Sequence, residues 1–133
     1  MARSGGSFVP SHGEVLVYCC RGGDVAVLRE VCSKIGSGLR IEPSRVEVAH
    51  ATVARHPVVV FIGAGNRSLK NLDVINVIQA IRQDLPIIVI AEEESLELER
   101  QARQKGIFYY LVQPIERAEV EAVLQDALRH GKA

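Results

Sequence analysis

The sequence has no surplus of charge of either sign. Sixteen basic and sixteen acidic residues cancel, and the pI is about 6.9. That balance leaves no electrostatic footprint for nucleic acid or for an anionic membrane surface. Long hydrophobic runs are also missing: Pro57 to Ile62 and Pro86 to Ala91 are far too short to span a bilayer. Met1 to Gly13 has no apolar signal-peptide core, so the expected location is the cytoplasm. Cysteine is sparse, with only Cys19, Cys20 and Cys32. An odd count does not read as a disulfide framework, and the vicinal pair Cys19–Cys20 is poorly placed to bridge without strain. No CxxC occurs, and His12, His50, His56 and His130 form no ligand spacing with the cysteines. No structural zinc, other metal or cofactor is expected.

What remains is the composition of one globular domain. Hydrophobic residues are 47% and charged residues 24% of the 133. That length is enough to bury a core. Gly5, Gly6, Pro10 and Gly13 mark residues 1–13 as a flexible leader, with a folded domain over 14–131. Glu14 to Cys19 is a continuous apolar run, suited to a strand buried on both faces of a parallel sheet. After Arg21-Gly22-Gly23, Asp24 is the expected N-cap of a helix carrying Val25, Leu28, Val31, Cys32 and Ile35. Gly36 and Gly38 stop it.

The next stretch allows two readings. Val46 and Val48 alternate with Arg45 and Glu47, as in a strand. Alternatively, Leu39 to Glu42 is a short strand and Ser44 to Arg55 a helix, with Ser44 and Glu47 as a capping box and Val46, Ala49 and Val53 on one face. The capping box favours the helix, against the poor propensity of its valines and Thr52.

Val58 to Ile62 predicts a buried strand running into a turn at Gly63-Ala64-Gly65-Asn66. Ser68 can cap a helix to about Asp84, with Val74, Val77, Ile78 and Ile81 at helical spacing. Ile87 to Ala91 is another strand. A helix follows from the Glu92–Glu94 run to Lys105, its charge order complementing the helix dipole. Gly106 ends it, Phe108 to Val112 is a fifth strand, and Glu116 to His130 is a last helix with Val120, Val123, Leu124, Ala127 and Leu128 on its apolar face.

Strand and helix alternate five times with short connections. The predicted fold is therefore α/β: a five-stranded parallel sheet flanked by helices on both faces, a (βα)5 flavodoxin-like arrangement. Ligands of such folds sit outside the carboxyl ends of the strands. The residues to interrogate are thus Cys19 to Gly23, Gly63 to Arg67, Ala91 to Ser95, and Gln113.

Leu85-Pro86-Ile87-Ile88-Val89-Ile90-Ala91 and Gly106 through Leu111-Val112-Gln113-Pro114 carry a resemblance to the receiver domain of two-component response regulators, over roughly Glu14 to Arg129. Such domains accept a phosphoryl group on an aspartate ending the third strand, beside magnesium held by acidic residues after the first. Matched by position, the acidic pair falls on Cys19 and Cys20. The phospho-accepting aspartate falls on Gly63, the switch hydroxyl on Ala91, and the lysine before the proline on Gln113. Gly63 has no side chain to phosphorylate, and thiols replace carboxylates poorly around magnesium. The resemblance thus implies a degenerate receiver, regulatory rather than enzymatic, working by dimerisation or by contact with a protein partner or fused effector domain. In receivers the fourth helix, fifth strand and fifth helix form that surface, which here carries Leu96, Arg100, Tyr110, Glu119 and Arg129. The resemblance also implies a cis peptide before Pro114.

Rival chemistries fit less well. A cysteine after a first strand also resembles phosphocysteine carriers of the sugar phosphotransferase system, with Cys19 or Cys20 as the acceptor. Those proteins follow the cysteine with a Thr-Ser pair; here Arg21 to Ala26 offers no hydroxyl, and Asp24 would repel phosphate. A buried Cys19 and a loop-lining Cys20 are the plainer expectation, with a low-pKa thiolate at Cys20 as the reactive alternative. The low-molecular-weight phosphatase loop lacks its arginine, and Gly63-Ala64-Gly65 lacks the rest of any nucleotide fingerprint. A turn at Gly63 to Ser68 filling the space of the absent aspartate is the expected arrangement there.

Overall fold

In the computed structural model, which describes residues 12–130, the apolar runs become the strands of one sheet. They are β1 (Glu14–Tyr18), β2 (Gly38–Glu42), β3 (Val59–Ala64), β4 (Ile87–Ala91) and β5 (Tyr109–Val112). All pairs are parallel and the order is β2-β1-β3-β4-β5. Every residue of β3 and β4 is buried, as continuous apolar strands require when helices cover both faces. The helices are α1 (Gly22–Ile35), α2 (Arg45–Arg55), α3 (Asp73–Ile81), α4 (Leu96–Gln104) and α5 (Arg117–His130).

Alternation along the strands divides the core into two layers. Leu16, Val60, Ile62 and Val89 pack with Val48, Ile75, Ile78 and Leu98 of α2, α3 and α4. Val15, Val17, Phe61, Ile88 and Ile90 pack with Leu28 and Val31 of α1 and Val120 and Leu124 of α5. Fully burying such a side chain contributes about 1.5–3 kcal/mol, so these layers hold the fold. No helix among the described residues is long and apolar enough to cross a membrane.

Several local expectations need correction. Arg21, not Asp24, is the N-cap of α1; Asp24 is buried in the first turn with a different partner. The capping box of α2 forms, Ser44 accepting from the Glu47 backbone N–H at 3.2 Å. The helix nevertheless buries Val48, Ala51 and Thr52, and it leaves Val46 and Val53 exposed. Thr52 is tolerated inside because its hydroxyl donates to Val48 O at 2.7 Å. Strand β3 runs two residues further than expected, through Gly63 and Ala64. Ser68 caps nothing: it lies within a 3-10 segment, Asn66–Leu72, at φ −135° and ψ 40°, and α3 begins only at Asp73. The Asn71 side chain, donating to Gly63 O at 3.0 Å, holds that segment against the strand end. Most of the expected leader, residues 1–11, lies outside the described residues. His12 and Gly13 are held in place, through His12 N–H to Gly36 O at 3.1 Å and Gly38 N–H to Gly13 O at 2.8 Å.

Candidate functional site

The carboxyl ends of β1, β3, β4 and β5 bring Cys19, Gly63, Ala91 and Gln113 together at one end of the sheet. The centre of that end is closed by backbone. Cys19 leaves β1 in the left-handed region, at φ 61°, a conformation costly for a residue with a Cβ. A Cβ built on Gly63 would lie 2.1 Å from the Cys19 carbonyl oxygen, 2.8 Å from its carbon and 3.1 Å from the Cys20 Cα. The space of an aspartate at position 63 is therefore filled from the β1–α1 loop. The expected filling turn at Gly63 to Ser68 does not do this, since Gly63 and Ala64 stay in the strand.

Polar pairs tie the surrounding loops. Gln113 Nε2 donates to Asp24 Oδ2, joining the loop after β5 to the first turn of α1. Asp24 is 7% exposed and Gln113 half-buried, so the carboxylate end of this pair is withdrawn from water. Arg21 reaches Glu92 at 3.2 Å, and Asn66 donates to Glu93 at 2.9 Å. The peptide between Gln113 and Pro114 is cis, and the Gln113 N–H bonds Ala91 O at 2.9 Å. Gln113 thus stands where the resemblance puts a phosphate-facing lysine, and its amide grips the one carboxylate beside the cysteines.

The cysteines exchange the environments expected of them. Cys19 is exposed and Cys20 is largely buried, its Sγ directed at Tyr18 O at 3.8 Å. Burial, with the Asp24 charge adding to it, pushes the Cys20 thiol up to about 12. A reactive low-pKa thiolate at Cys20 is thereby corrected: burial first, and the Asp24 carboxylate second, hold the thiol protonated. Magnesium does not fit here either. Two thiols and one engaged carboxylate are not its ligands, and no group of His, Cys, Asp and Glu among the described residues is arranged to hold a metal.

The α4–β5–α5 surface is mixed. Leu96 is 86% exposed at the start of α4. Arg100 pairs with Glu97 within that helix, Arg129 with Asp126 at 3.0 Å within α5, and Glu119 accepts from the Tyr109 hydroxyl at 3.3 Å. Tyr110 is not an exposed contact. It is 8% exposed, its hydroxyl has no hydrogen-bond partner, and the Arg103 guanidinium lies 5.9 Å from its ring centroid. Strand parity explains the error, because Tyr109 takes the solvent side of this edge strand. Glu94, Ser95, Leu96, Glu99, Tyr110 and Val112 line a groove of about 290 Å³ on this surface.

Comparison with solved structures shows the fold of response-regulator receiver domains. NtrX from Brucella abortus, in complex with ADP, superposes with a TM-score of 0.78 at 20% identity, over 90% of this chain and 27% of NtrX. A CheY-like receiver domain from Methanospirillum hungatei gives 0.73 at 13% identity, over 90% and 96%. The CheY-like protein TadZ from Pseudomonas aeruginosa gives 0.74 at 15% identity, over 86% and 98%. No family model and no curated protein matches the sequence. The likeness is therefore one of fold, and the chain spans about a quarter of NtrX.

Proposed function

We propose that this chain is a regulatory module of receiver fold that works without aspartyl phosphorylation, by holding a protein partner or a fused effector domain. The observation that carries this reading is the Cys19 carbonyl lying where a side chain at position 63 would begin. Position 63 carries no aspartate, and the crowding of the backbone around it opposes one. Gln113 and Asp24 neutralise each other's polarity across the former pocket, a pairing that phosphate and magnesium would have to break.

The working surface on this reading is α4–β5–α5, with Leu96, Arg100, Glu119 and Arg129 accessible and Tyr110 as its buried floor. Mixed charges there set the register of a contact more than its strength. The likeness to one segment of the longer NtrX chain supports a role as one module of a larger regulator, or as an adaptor acting beside one.

The test is intact mass after incubation with magnesium and acetyl phosphate. No adduct is expected, on the parent or on a Gly63→Asp variant. An adduct on Cys19 would favour the phosphocysteine carrier, and one on any aspartate of the parent would refute the proposal. Leu96→Lys and Arg100→Glu should then lose the partner in pull-down while leaving the melting curve unchanged.

A further inference from the structure

Helix α2 carries two apolar stripes, and the fold uses one. Val48, Ala51 and Thr52 face the core, while Val46 and Val53, seven residues apart and so on one face, are 77% and 58% exposed. Beside this helix runs β2, an end strand of the sheet that pairs with β1 on one side. Its Ile41 is 45% exposed. Arg40, Glu42, Val46, His50 and Ala54 line a groove of about 470 Å³ between the strand and the helix.

The register fixes which way these side chains point. Arg40 aligns with Leu16, which belongs to the α2 layer of the core, and Ile41 aligns with Val17, which belongs to the α1 layer. Exposed apolar surface therefore flanks one sheet edge on both faces: Ile41 on one, Val46 and Val53 on the other. An edge of this kind is a template for another strand.

We infer that the β2 edge is the docking surface for β2 of a second copy of this chain, antiparallel and centred on Ile41. The occupant is identified by charge. About a two-fold axis through Ile41, Arg40 of each copy falls opposite Glu42 of the other, so Arg40-Ile41-Glu42 is its own complement. Arg40 is incompletely engaged within its own chain. Its Nε–H makes no hydrogen bond, while its Nη1 donates to Glu42 of the same chain at 3.4 Å and Glu14 lies 3.6 Å from Nε. The cross-strand pairs thus exchange an existing Arg40–Glu42 contact for two between copies. Strands about 4.8 Å apart bring the two α2 helices alongside each other on one face of a continuous ten-stranded sheet. That arrangement shields Val46, His50 and the groove on one face and the two Ile41 side chains on the other. The α4–β5–α5 surfaces lie at the two far ends, beside β5, and remain free. The dimer presents two partner sites at once.

Sedimentation equilibrium over rising concentration tests this, with circular dichroism melting as the control for folding. The parent chain should dimerise. Ile41→Lys sets two cations on the axis and should raise the dissociation constant at least about tenfold. Arg40→Glu should do the same, because it opposes two carboxylates. The combined Arg40→Glu and Glu42→Arg variant should dimerise again, because it restores both cross-strand pairs. Leu96→Lys should leave the dimer intact. A parent that stays monomeric at the highest attainable concentration overturns the inference, as does a dimer indifferent to Ile41→Lys. A folded charge-swap variant that fails to recover also overturns it. Dissociation by Leu96→Lys but not Ile41→Lys would move self-association to α4–β5–α5, overturning this inference while leaving the proposed function standing.

Discussion

Replacing Gly63 with alanine adds one methyl group at the most crowded point of the sheet. Its carbon would start 2.1 Å from Cys19 O, more than an ångström inside normal contact, and 2.8 Å from Cys19 C. Backbone meets it on that side, so no rotamer change can relieve the overlap. Tyr18, the residue before Cys19, is paired with Ile62 of β3 and Glu42 of β2, which limits how far the loop can retreat. Overpacking of this kind costs about 1–3 kcal/mol where side chains can adjust, and a backbone neighbour places it at the upper end. Losing a glycine's freedom in the unfolded chain returns about 0.4–1 kcal/mol. The net loss is about 2–3 kcal/mol, or about 6–12 °C in Tm for a domain of this size. Urea unfolding followed by far-ultraviolet circular dichroism reads it as a lower midpoint at constant slope. Gly23→Ala is the control. No atom lies within 4 Å of its added carbon, and inside α1 the change should gain up to about 1 kcal/mol. A Gly63→Ala protein within about 0.5 kcal/mol of the parent would show that Cys19 does not cover position 63. The closed pocket would then lose its main support.

Gln113→Ala removes the hydrogen bond to the buried Asp24 carboxylate and should lose about 1–3 kcal/mol, while Gln113→Lys keeps a donor and should lose less; urea midpoints separate the two. Tyr110→Phe deletes a buried hydroxyl that has no partner and should be neutral or stabilising, whereas Tyr110→Ala empties a core position and should lose about 3–5 kcal/mol. A destabilised Tyr110→Phe would reveal a partner for that hydroxyl. Burial raises Cys20 to about 12 and Cys32 to about 11 from an ordinary value near 9.0. The unfolded chain therefore loses these protons first. Stability should be unaffected by them below pH 9 and should fall as pH rises from 9 through 12, as unfolding at several pH values would show. A thiol reagent at pH 8 should label Cys19 well before the other two, checked by peptide mass.

The sheet was legible because its strands are unusually uniform. Every position of β3 and β4 is apolar or small, and the helical spacing of Val120, Val123, Leu124, Ala127 and Leu128 reappears as the buried face of α5. Helix α2 was misread in orientation for a physical reason. Val46, Ala49 and Val53 form an apolar stripe as regular as Val48, Ala51 and Thr52, and spacing alone does not say which one meets the sheet. Thr52 tips the balance only once its hydroxyl is seen to satisfy itself on Val48 O. Cys19, Gly63, Ala91 and Gln113 meet at one end of the sheet because they end or follow neighbouring parallel strands, but the closure over Gly63 depends on a left-handed Cys19, which no residue preference announces. Asp24 as the partner of Gln113 is a contact across 89 residues, beyond any local pattern. The sequence instead offered Asp24 as a helix cap, the commoner role of an aspartate at a helix start.

The ties across the strand ends bear on how such a module is controlled. Arg21–Glu92 joins exposed and half-buried side chains and contributes little on its own, about 0–1 kcal/mol. Asn66 to Glu93 is exposed as well. Gln113–Asp24 differs because Asp24 is withdrawn from water, where breaking one partner leaves the other unsatisfied. A reversible phosphoryl group at this end of the sheet would have to open that pair, displace the Cys19 backbone and find a metal site that the side chains do not supply. Each of these opposes the change. A population shift requires a ligand that prefers one of two accessible states. Under the proposed function, control therefore enters through occupancy of the α4–β5–α5 surface. A dimer joined at β2 strengthens that control by pairing two such surfaces, so the second contact follows the first at a high effective concentration.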